Sequence, residues 1–344
     1  MPKTDVVILN WNGHHFLELF LPVLIRYTPA ELAGIVIADN GSTDDSIAWV
    51  EKNYARRVRT IRFEHNYGFA GGYNKALEQL DCEYAVLLNS DVEVSKNWLD
   101  PLLDAIAPAN IAAVMPRIKS HADKEYFEYA GAAGGFIDRW GLPFCRGRIL
   151  DRLEKDTGQY NDSRSIFWTT GACMMIKMDV FRQTGGFDAG FFAHMEEIDL
   201  CWRMKSSGYD ILAVPASTVY HVGGGTLPSG NHRKIFLNVR NSLLTLYKNL
   251  PRKNLVSIMI IRMLLDGLAA MKFLLEGKPK SFSAILKAHL AFYRDRRSYK
   301  TVRSTNKQIQ HPNTLSGYYS RSIVVDYYLR GKRRFSQMES KINK

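Results

Sequence analysis

The feature that most constrains this chain is an alternation of short apolar runs with amphipathic stretches over roughly its first third. Five runs have the composition of β-strands: 5–10, 34–39, 58–64, 84–89 and 111–116. Four stretches between them have helical periodicity: 14–27, 44–54, 70–80 and 96–107. This order predicts an α/β fold with a mostly parallel sheet flanked by helices. The 344 residues suffice for one large domain or two smaller ones.

Polar segments follow three of the predicted strands, where open α/β sheets bind their ligands. They are DNGSTDDS (39–46), EHNYGFAGGYNKAL (64–77) and NSDVEV (89–94). A turn and a helix cap explain much of the first segment, and a simple turn is also an open interpretation of the third. The glycines of the second can expose backbone N–H groups to a diphosphate at a helix start. Asp91, after an apolar strand, suits a divalent cation.

The glycine-rich segment lacks the motifs of several classes of nucleotide-binding protein. It matches neither G-x-x-x-x-G-K-[ST] nor G-x-G-x-x-G, which disfavours P-loop ATPases and dinucleotide dehydrogenases. A nucleotidyltransferase is also disfavoured, because the amino-terminus has no glycine-rich loop bearing a lysine.

The segment HMEEIDLCWR (194–203) places Glu196, Glu197 and Asp199 within four positions. One interpretation is the first turn of a helix running to about Gly208, where each acid gains roughly 0.3–1 kcal/mol from the helix dipole. Asp199 and Arg203 would then form an i,i+4 pair. The other interpretation is chemical, since a carboxylate at a half-buried helix start can act as a general base.

These segments, taken together and in order, resemble the family 2 glycosyltransferases, which have the GT-A (nucleotide-diphospho-sugar transferase) fold. Within that family they look most like bacterial rhamnosyltransferase-type enzymes. The resemblance implies a catalytic domain over 1–230 that transfers a sugar from dTDP-rhamnose or a UDP-sugar, with inversion, to a hydroxyl of a lipid-linked oligosaccharide. The segments that carry it are VVILNWNG (6–13), IADNGSTDDS (37–46), NYGFAGGYN (66–74), LLNSDVEV (87–94), WTTGACMMIK (168–177), GGFDAGFFAHMEEIDLCWR (185–203) and VYHVGGGT (219–226).

The same resemblance implies roles for individual residues. Asp91 and His221 would hold Mg²⁺ or Mn²⁺. Asn89 stands where the family's D-x-D element has its first acid, so the diphosphate itself would hold much of the cation. The residues implied at the acceptor side are Trp168, Thr170 and Gly171. The residues implied at the donor are Asn12, Asp39, Asp44, Asn66, Gly68, Gly72, Asn74 and Ser90.

The catalytic base implied by the resemblance is Glu197, which aligns with the second acid of the family's pair. Glutamate stands here where aspartate is commoner, so the carboxylate reaches one methylene further. Glu196 would orient the loop or the acceptor, and Asp199 would anchor the helix through Arg203.

The charge of the chain is divided unevenly. Residues 231–344 carry 24 Lys+Arg against 5 Asp+Glu, or +19, so the first 230 residues carry 12 − 19 = −7. Such a basic extension predicts a polyanionic partner. The extension contains no recognised nucleic-acid-binding motif, so nucleic acid is not expected and an anionic membrane surface is favoured. In the same region, Arg240 is a candidate ligand of the donor diphosphate.

The stretch 255–276 has a helical pattern in which Arg262, Asp266, Lys272 and Glu276 fall on one side of a wide apolar arc. Four charges argue against a membrane span. The helix could pack on the catalytic domain or lie in the bilayer interface, and we favour the interface.

The sequence also predicts a compartment and leaves one alternative function open. No signal peptide is recognisable and the four cysteines are widely spaced, which predicts a cytoplasmic protein, peripheral on the inner face of the membrane. The alternative function is a catalytically silent GT-A domain that serves as a scaffold on membranes or polyanions. The acid pair, Asp91 and His221 favour the enzyme, because a scaffold would not need them.

Overall fold

A computed structural model describes residues 3–223, 231–305 and 311–343. Its strands form a nine-stranded central sheet and a second, five-stranded sheet. The strands are β1 (Thr4–Asn10), β2 (Gly34–Asp39), β3 (Val58–Arg62), β4 (Tyr84–Leu88), β5 (Val92–Val94), β6 (Ile111–Ser120), β7 (Gly135–Asp138), β8 (Pro143–Cys145), β9 (Arg148–Ile149), β10 (Arg152–Leu153), β11 (Arg164–Ser165), β12 (Cys173–Lys177), β13 (Asp210–His221) and β14 (Tyr318–Tyr319).

The central sheet is mostly parallel, as predicted. Its order is β11-β13-β6-β12-β4-β1-β2-β3, with β5 also paired to β13. β1 pairs in parallel with β2 and β4, β2 with β3, and β13 with β6. β12 runs antiparallel between β4 and β6, and the short strands β5 and β11 run antiparallel to β13. The ends of β1, β2 and β4 therefore lie along one edge, which positions the segments after them together.

The α-helices cover the sheet and form a layer of their own near the carboxyl end. They are α1 (His14–Tyr27), α2 (Ser46–Tyr54), α3 (Gly68–Leu77), α4 (Asp100–Ile106), α5 (Met178–Gln183), α6 (Glu196–Ser206), α7 (His232–Asn249), α8 (Arg252–Leu275), α9 (Pro279–Asp295), α10 (Lys300–Thr305) and α11 (Ile323–Tyr328).

The predicted strands and helices of the first third are confirmed with small shifts of their ends. Val6, Val7 and Ile8 on β1 are almost completely buried, as expected of a strand with helices on both faces. α4 begins at Asp100 instead of residue 96, because Asn97 has a positive φ of 57° and Pro101 occupies the first turn. The helix predicted from Glu196 is confirmed and ends at Ser206.

The chain after residue 231 packs against the remainder. α7 lies on α6, and α9 lies on both α7 and α8. β14 pairs in parallel with β7 of the second sheet. None of the helices in the described part of the chain combines the length and low charge needed to cross a bilayer.

Candidate active site

A buried asparagine organises the ends of β1 and β2. Nδ2 of Asn10 donates to Asp39 Oδ1 at 3.2 Å, Ser42 Oγ at 3.1 Å and Ser46 Oγ at 2.8 Å. Asp39 Oδ2 also accepts from the backbone N–H of Ser42 at 3.2 Å. The carboxylate of Asp39, 7% exposed, is thereby fixed in orientation at the sheet edge.

Asn12 and Asp44 lie beside this group and tie the loop after β1 to the loop after β2. Asn12 has a positive φ of 50° and accepts from the backbone N–H of Thr43 at 2.7 Å through Oδ1. Asp44 accepts from the backbone N–H of His14 at 3.1 Å and from Ser46 Oγ at 2.6 Å. Both side chains are exposed, so the structure brings two predicted donor residues to the rim of the site.

The glycine-rich loop joins the same edge through Asn40. Nδ2 of Asn40 donates to Asn66 Oδ1 at 3.1 Å and to the Gly68 carbonyl at 3.0 Å. Asn66 Oδ1 in turn accepts from the Gly68 N–H at 2.7 Å. Gly72 lies against Leu9 and Asn40 so closely that a Cβ would come within 3.0 Å of both side chains.

Asp91 and His221 meet where β4 ends and β5 pairs with β13. Their Oδ1 and Nε2 atoms are 3.2 Å apart, and Oε2 of Glu128 lies 3.5 Å from Nδ1 of His221. Burial lowers the pKa of His221, but the two carboxylates outweigh it and raise the pKa to about 10. Among the described residues no group of three or more His, Cys, Asp or Glu is arranged to hold a metal ion. To bind a cation, His221 would have to give up its ring proton, and a diphosphate would have to supply further ligands.

The acidic segment sits at the end of a strained loop. Phe192, His194 and Met195 have positive φ values of 65°, 70° and 71°, which cost of order 1–3 kcal/mol each in non-glycine residues. Such strain persists only where the surrounding structure enforces it. α6 starts directly after this loop, so the backbone of the loop determines the orientation of Glu196 and Glu197, the first two residues of the helix.

Glu196 and Glu197 have no counter-ion among the residues that the structure describes. Glu196 is 4% exposed, and Glu197 is half-buried. In each glutamate the Oε2 atom has no hydrogen-bond partner in the described part of the chain, and the same is true of Nε2 of His194. Burial and the neighbouring Glu197 raise the pKa of Glu196 well above its usual value. Burial raises the pKa of Glu197 to about 7, and that of His194 falls to about 4 for the same reason.

Asp199 has the opposite environment. Its Oδ2 accepts from Arg203 Nε at 3.0 Å and Lys248 Nζ at 2.8 Å, and its Oδ1 accepts from Asn249 Nδ2 at 2.8 Å. Although burial opposes ionisation, Lys248 and Arg203 lower the pKa of Asp199. The predicted Asp199–Arg203 pair is confirmed, and α7 supplies two further partners.

α7 also holds the loop that leads into α6. Nδ2 of Asn241, which is completely buried, donates to the carbonyls of Phe191 at 2.9 Å, Ala193 at 3.0 Å and His194 at 2.8 Å. Lys248 bridges Asp199 to Asp188, at 2.5 Å from the latter. The strained segment is thus held from the carboxyl-terminal side of the chain.

Two predicted donor residues make contacts within the protein at this loop. The amide of Asn74 donates to the Phe187 carbonyl at 2.8 Å and accepts from its N–H at 3.0 Å. Arg240 donates to the Gly190 carbonyl at 2.5 Å and lies 3.7 Å from Asp295. The side chains of both residues are therefore engaged with the loop and its support.

The residues predicted for the acceptor side border the same edge at different depths. Trp168 is 4% exposed, and its indole N–H donates to the Phe136 carbonyl at 2.9 Å. Thr170, also buried, accepts from the Ala172 N–H at 3.2 Å. The Ala172 carbonyl accepts from the Asn89 N–H at 3.0 Å, next to Ser90 and Asp91.

Close packing connects the three regions into one site. The Phe192 carbonyl accepts from the Phe69 N–H at 2.7 Å, and a Cβ on Gly68, whose φ is +72°, would lie 2.6 Å from the Phe192 ring. A Cβ on Gly171 would lie 2.8 Å from the Phe69 ring. Donor loop, acidic loop and the segment after Trp168 are therefore in contact.

Some residues of the site were not predicted. Neither Asn10 nor Glu128 belongs to a motif that marks it as a site residue. Asn10 could have been found as the polar residue that ends the apolar strand β1. Gly224 and Gly225, part of the segment VYHVGGGT, lie outside the described residues.

The mostly parallel sheet, with a glycine-rich loop, the Asp91–His221 pair and the Glu196–Glu197 pair near one edge, is the arrangement expected of a nucleotide-sugar transferase of the GT-A class. A model of "Glycosyl transferase family 2" matches residues 5–185 of 344, and the chain belongs to this family. It is a glycosyltransferase.

A relative supports this assignment, and solved structures support the fold. The chain is 26% identical over 232 residues to the N-acetylglucosaminyl-diphospho-decaprenol L-rhamnosyltransferase of Mycobacterium tuberculosis, covering 63% of this chain and 75% of that protein. Its fold is similar to GalNAc-T7 with UDP, GalNAc and Mn²⁺ (TM-score 0.57, 18% identity, 73% of this chain and 49% of that one). It is also similar to Staphylococcus aureus TarS 1-349 with UDP-GlcNAc (TM-score 0.54, 16% identity, 93% of each chain). The GT-A prediction is confirmed.

Proposed function

We propose that the protein transfers a sugar, with inversion and with Mg²⁺ or Mn²⁺, from dTDP-rhamnose or a UDP-sugar to a hydroxyl of a lipid-linked oligosaccharide during cell-surface polysaccharide synthesis. The observation that carries this proposal is the adjacent pair of Glu196, which is buried, and Glu197, which is half-buried, at the start of α6 directly after a strained loop. The rhamnosyl group and the diphospho-decaprenol in the mycobacterial relative's name support the donor and acceptor classes.

Glu197 is the proposed base. A pKa of about 7 leaves a substantial fraction ionised at neutral pH while keeping the carboxylate basic enough to accept a proton. The acceptor hydroxyl gives its proton to Glu197 as its oxygen bonds to the anomeric carbon. The bond from that carbon to the diphosphate oxygen breaks on the opposite face, which inverts the configuration.

Glu196 is proposed to position the acceptor. Burial and the neighbouring Glu197 raise the pKa of Glu196 and so favour its protonated form, which can donate a hydrogen bond to a sugar oxygen. The free Oε2 atoms of both glutamates would then find partners in the substrate, which accounts for their lack of partners within the described protein.

The donor is proposed to lie along the edge formed by Asn12, Asp39, Asp44 and the loop at Asn66–Gly68, with Ser90 nearby. Asp39 is fixed by Asn10 and suits a ribose or base contact. Asp91 and His221 would hold the cation. When bound there, it would neutralise the charge developing on the departing diphosphate.

The free-energy cost of this site to the fold favours an enzyme over a catalytically silent scaffold. Unpartnered buried acids and positive φ values destabilise a fold, and binding a membrane needs neither of them. We further propose that the protein acts on the cytoplasmic face of the membrane, where a lipid-linked acceptor is anchored.

The test is a thermal-shift screen of dTDP-rhamnose, UDP-sugars and GDP-mannose with Mg²⁺ and Mn²⁺, followed by transfer to an undecaprenyl-type acceptor. A bound donor raises the melting temperature by mass action. NMR of the product should show the anomeric configuration opposite to that of the donor. Retention of configuration, or no metal-dependent shift with any nucleotide sugar, would contradict the proposal.

A further inference from the structure

The long helix α8 is turned so that its central charges face the protein. Arg262 and Asp266, 5% and 6% exposed, pair at 3.0 Å. Arg262 also donates to Ser242 Oγ at 2.6 Å, and Asp266 lies 3.2 Å from Nε2 of His289 on α9. These buried contacts fix the rotation of the helix, because turning it would leave both charges without partners in an apolar setting.

The side of α8 that faces solvent is consequently apolar. Leu264 and Leu268 are 65% and 68% exposed, and Leu275 is 85% exposed. The spacing is that of one helical stripe. α9 adds a similar stripe of Leu286, Leu290 and Tyr293, with Tyr293 also donating to Met263 of α8. The complete α8 stripe is Val256, Ile260, Leu264, Leu268, Met271 and Leu275.

Such a surface needs an explanation, since monomeric proteins seldom expose long continuous apolar patches. Exposed basic residues stand at its ends. Lys253 precedes Ile260 by two helical turns, Lys272 follows Leu268 by one turn, and Arg294 follows Leu290 by one turn. Residues 252–300 carry 11 Lys+Arg and 3 Asp+Glu, a net charge of 11 − 3 = +8.

We propose that the outward faces of α8 and α9 form a docking surface for an anionic lipid bilayer, with both helices lying in the plane of the interface. Apolar side chains would enter the acyl boundary while the basic residues contact anionic headgroups. A second copy of the chain is a poorer occupant, because pairing two such faces would bring like charges together. The proposal deepens, and rests on, the proposed lipid-linked acceptor.

The docking surface is connected to the acidic loop. Just beyond α9, the hydroxyl of Tyr299 donates to Asp188 Oδ1 at 3.1 Å, and Asp295 at the end of α9 lies 3.7 Å from Arg240. Asp188 precedes the strained loop that aims Glu197. A membrane bound to α8 and α9 would therefore lie against the elements that support this loop.

The test is co-sedimentation of the full chain with vesicles of phosphatidylcholine containing about 30% phosphatidylglycerol, compared with pure phosphatidylcholine. The unchanged protein should bind the anionic vesicles, and less so as salt is raised. The double variant L264E/L268E should bind at least about tenfold less. The matched control is L329E, since Leu329 is 81% exposed but lies outside both helices. It should bind normally.

Three results would overturn the proposal: no binding by the unchanged protein, undiminished binding by L264E/L268E, or equal loss of binding in L329E. A dimer that L264E/L268E converts to monomer, measured by light scattering, would assign the surface to a second copy instead. Transfer to a short water-soluble acceptor should be unaffected in L264E/L268E. The unchanged protein and its variants could bind vesicles as expected and yet transfer no sugar to any acceptor. That result would refute the proposed reaction and leave the docking surface supported.

Discussion

Replacing the proposed base by glutamine (E197Q) should abolish transfer and stabilise the fold. Burial raises the pKa of Glu197 from 4.5 to about 7, so the folded protein holds this proton more tightly than the unfolded chain does. The stability contributed by this tighter binding is full below about pH 4.5, is lost as the pH rises to about 7 and is constant above that. At 1.36 kcal/mol per pKa unit, ionising the buried acid destabilises the fold by about 3 kcal/mol.

Glutamine has the size of the protonated acid and does not ionise. Near pH 8 the free energy of unfolding of E197Q should therefore exceed that of the unchanged protein by about 3 kcal/mol, and near pH 4 the two should be nearly equal. Urea unfolding followed by tryptophan fluorescence measures both values. Release of nucleoside diphosphate measures transfer, which in the unchanged enzyme should fall as the pH drops below about 7.

A matched control is E78Q, because Glu78 is exposed directly after the last residue of α3. This variant should change neither the stability difference between the two pH values nor the rate. The reasoning is refuted if E197Q retains near-normal transfer, or if its stability relative to the unchanged protein is the same at both pH values. Loss of transfer without the pH-dependent stabilisation would be consistent with the catalytic role but would show that folding does not raise the pKa of Glu197.

Three further predictions concern the surroundings of Glu197. D91A should abolish the part of the donor-induced thermal shift that depends on Mn²⁺, and an unchanged metal requirement would count against the cation site. N241A removes one donor from three loop carbonyls and should lower the free energy of unfolding by about 2–4 kcal/mol, and kcat should also fall in samples that are fully folded. The control N238A removes one hydrogen bond to the Lys234 carbonyl and should lower the free energy of unfolding by about 0.5 kcal/mol or less. A normal kcat in folded N241A would show that Asn241 contributes to stability alone. E197D shortens the side chain by one methylene and should lower kcat more than it changes the KM for the donor.

The sheet and its helices could be predicted because local patterns determine them. The apolar run of β1 is buried on both faces, and α1 has the predicted ends, His14 and Tyr27. The start of α6 was predictable for the same reason, since Glu196, Glu197 and Asp199 favour the amino-terminal end of a helix. The dipole explains why acids occur there, but it does not distinguish a paired acid from an unpaired one.

The different environments of Asp199 and Glu197 could not be predicted, because they depend on residues about fifty positions away in the sequence. Lys248 and Asn249 reach Asp199 across the packed α6 and α7, and no partner of this kind reaches Glu197 Oε2 among the described residues. Neighbouring acids on one helix turn therefore have pKa values shifted in opposite directions. The orientation of α8 is a similar case, since the Arg262–Asp266 pair could have faced either solvent or protein.

These contacts also bear on the predicted boundary at residue 230. The loop at Phe192–Met195 has three residues with positive φ, and its buried His194 Nε2 has no hydrogen-bond partner among the described residues, so the loop has little stability of its own. The groups that hold it, Asn241 and Lys248, belong to α7. A fragment ending at residue 230 would keep the proposed base and lose its support. The basic extension therefore supports the loop that precedes the acid pair, through Asn241 and Lys248, while the outward faces of α8 and α9 are exposed to solvent.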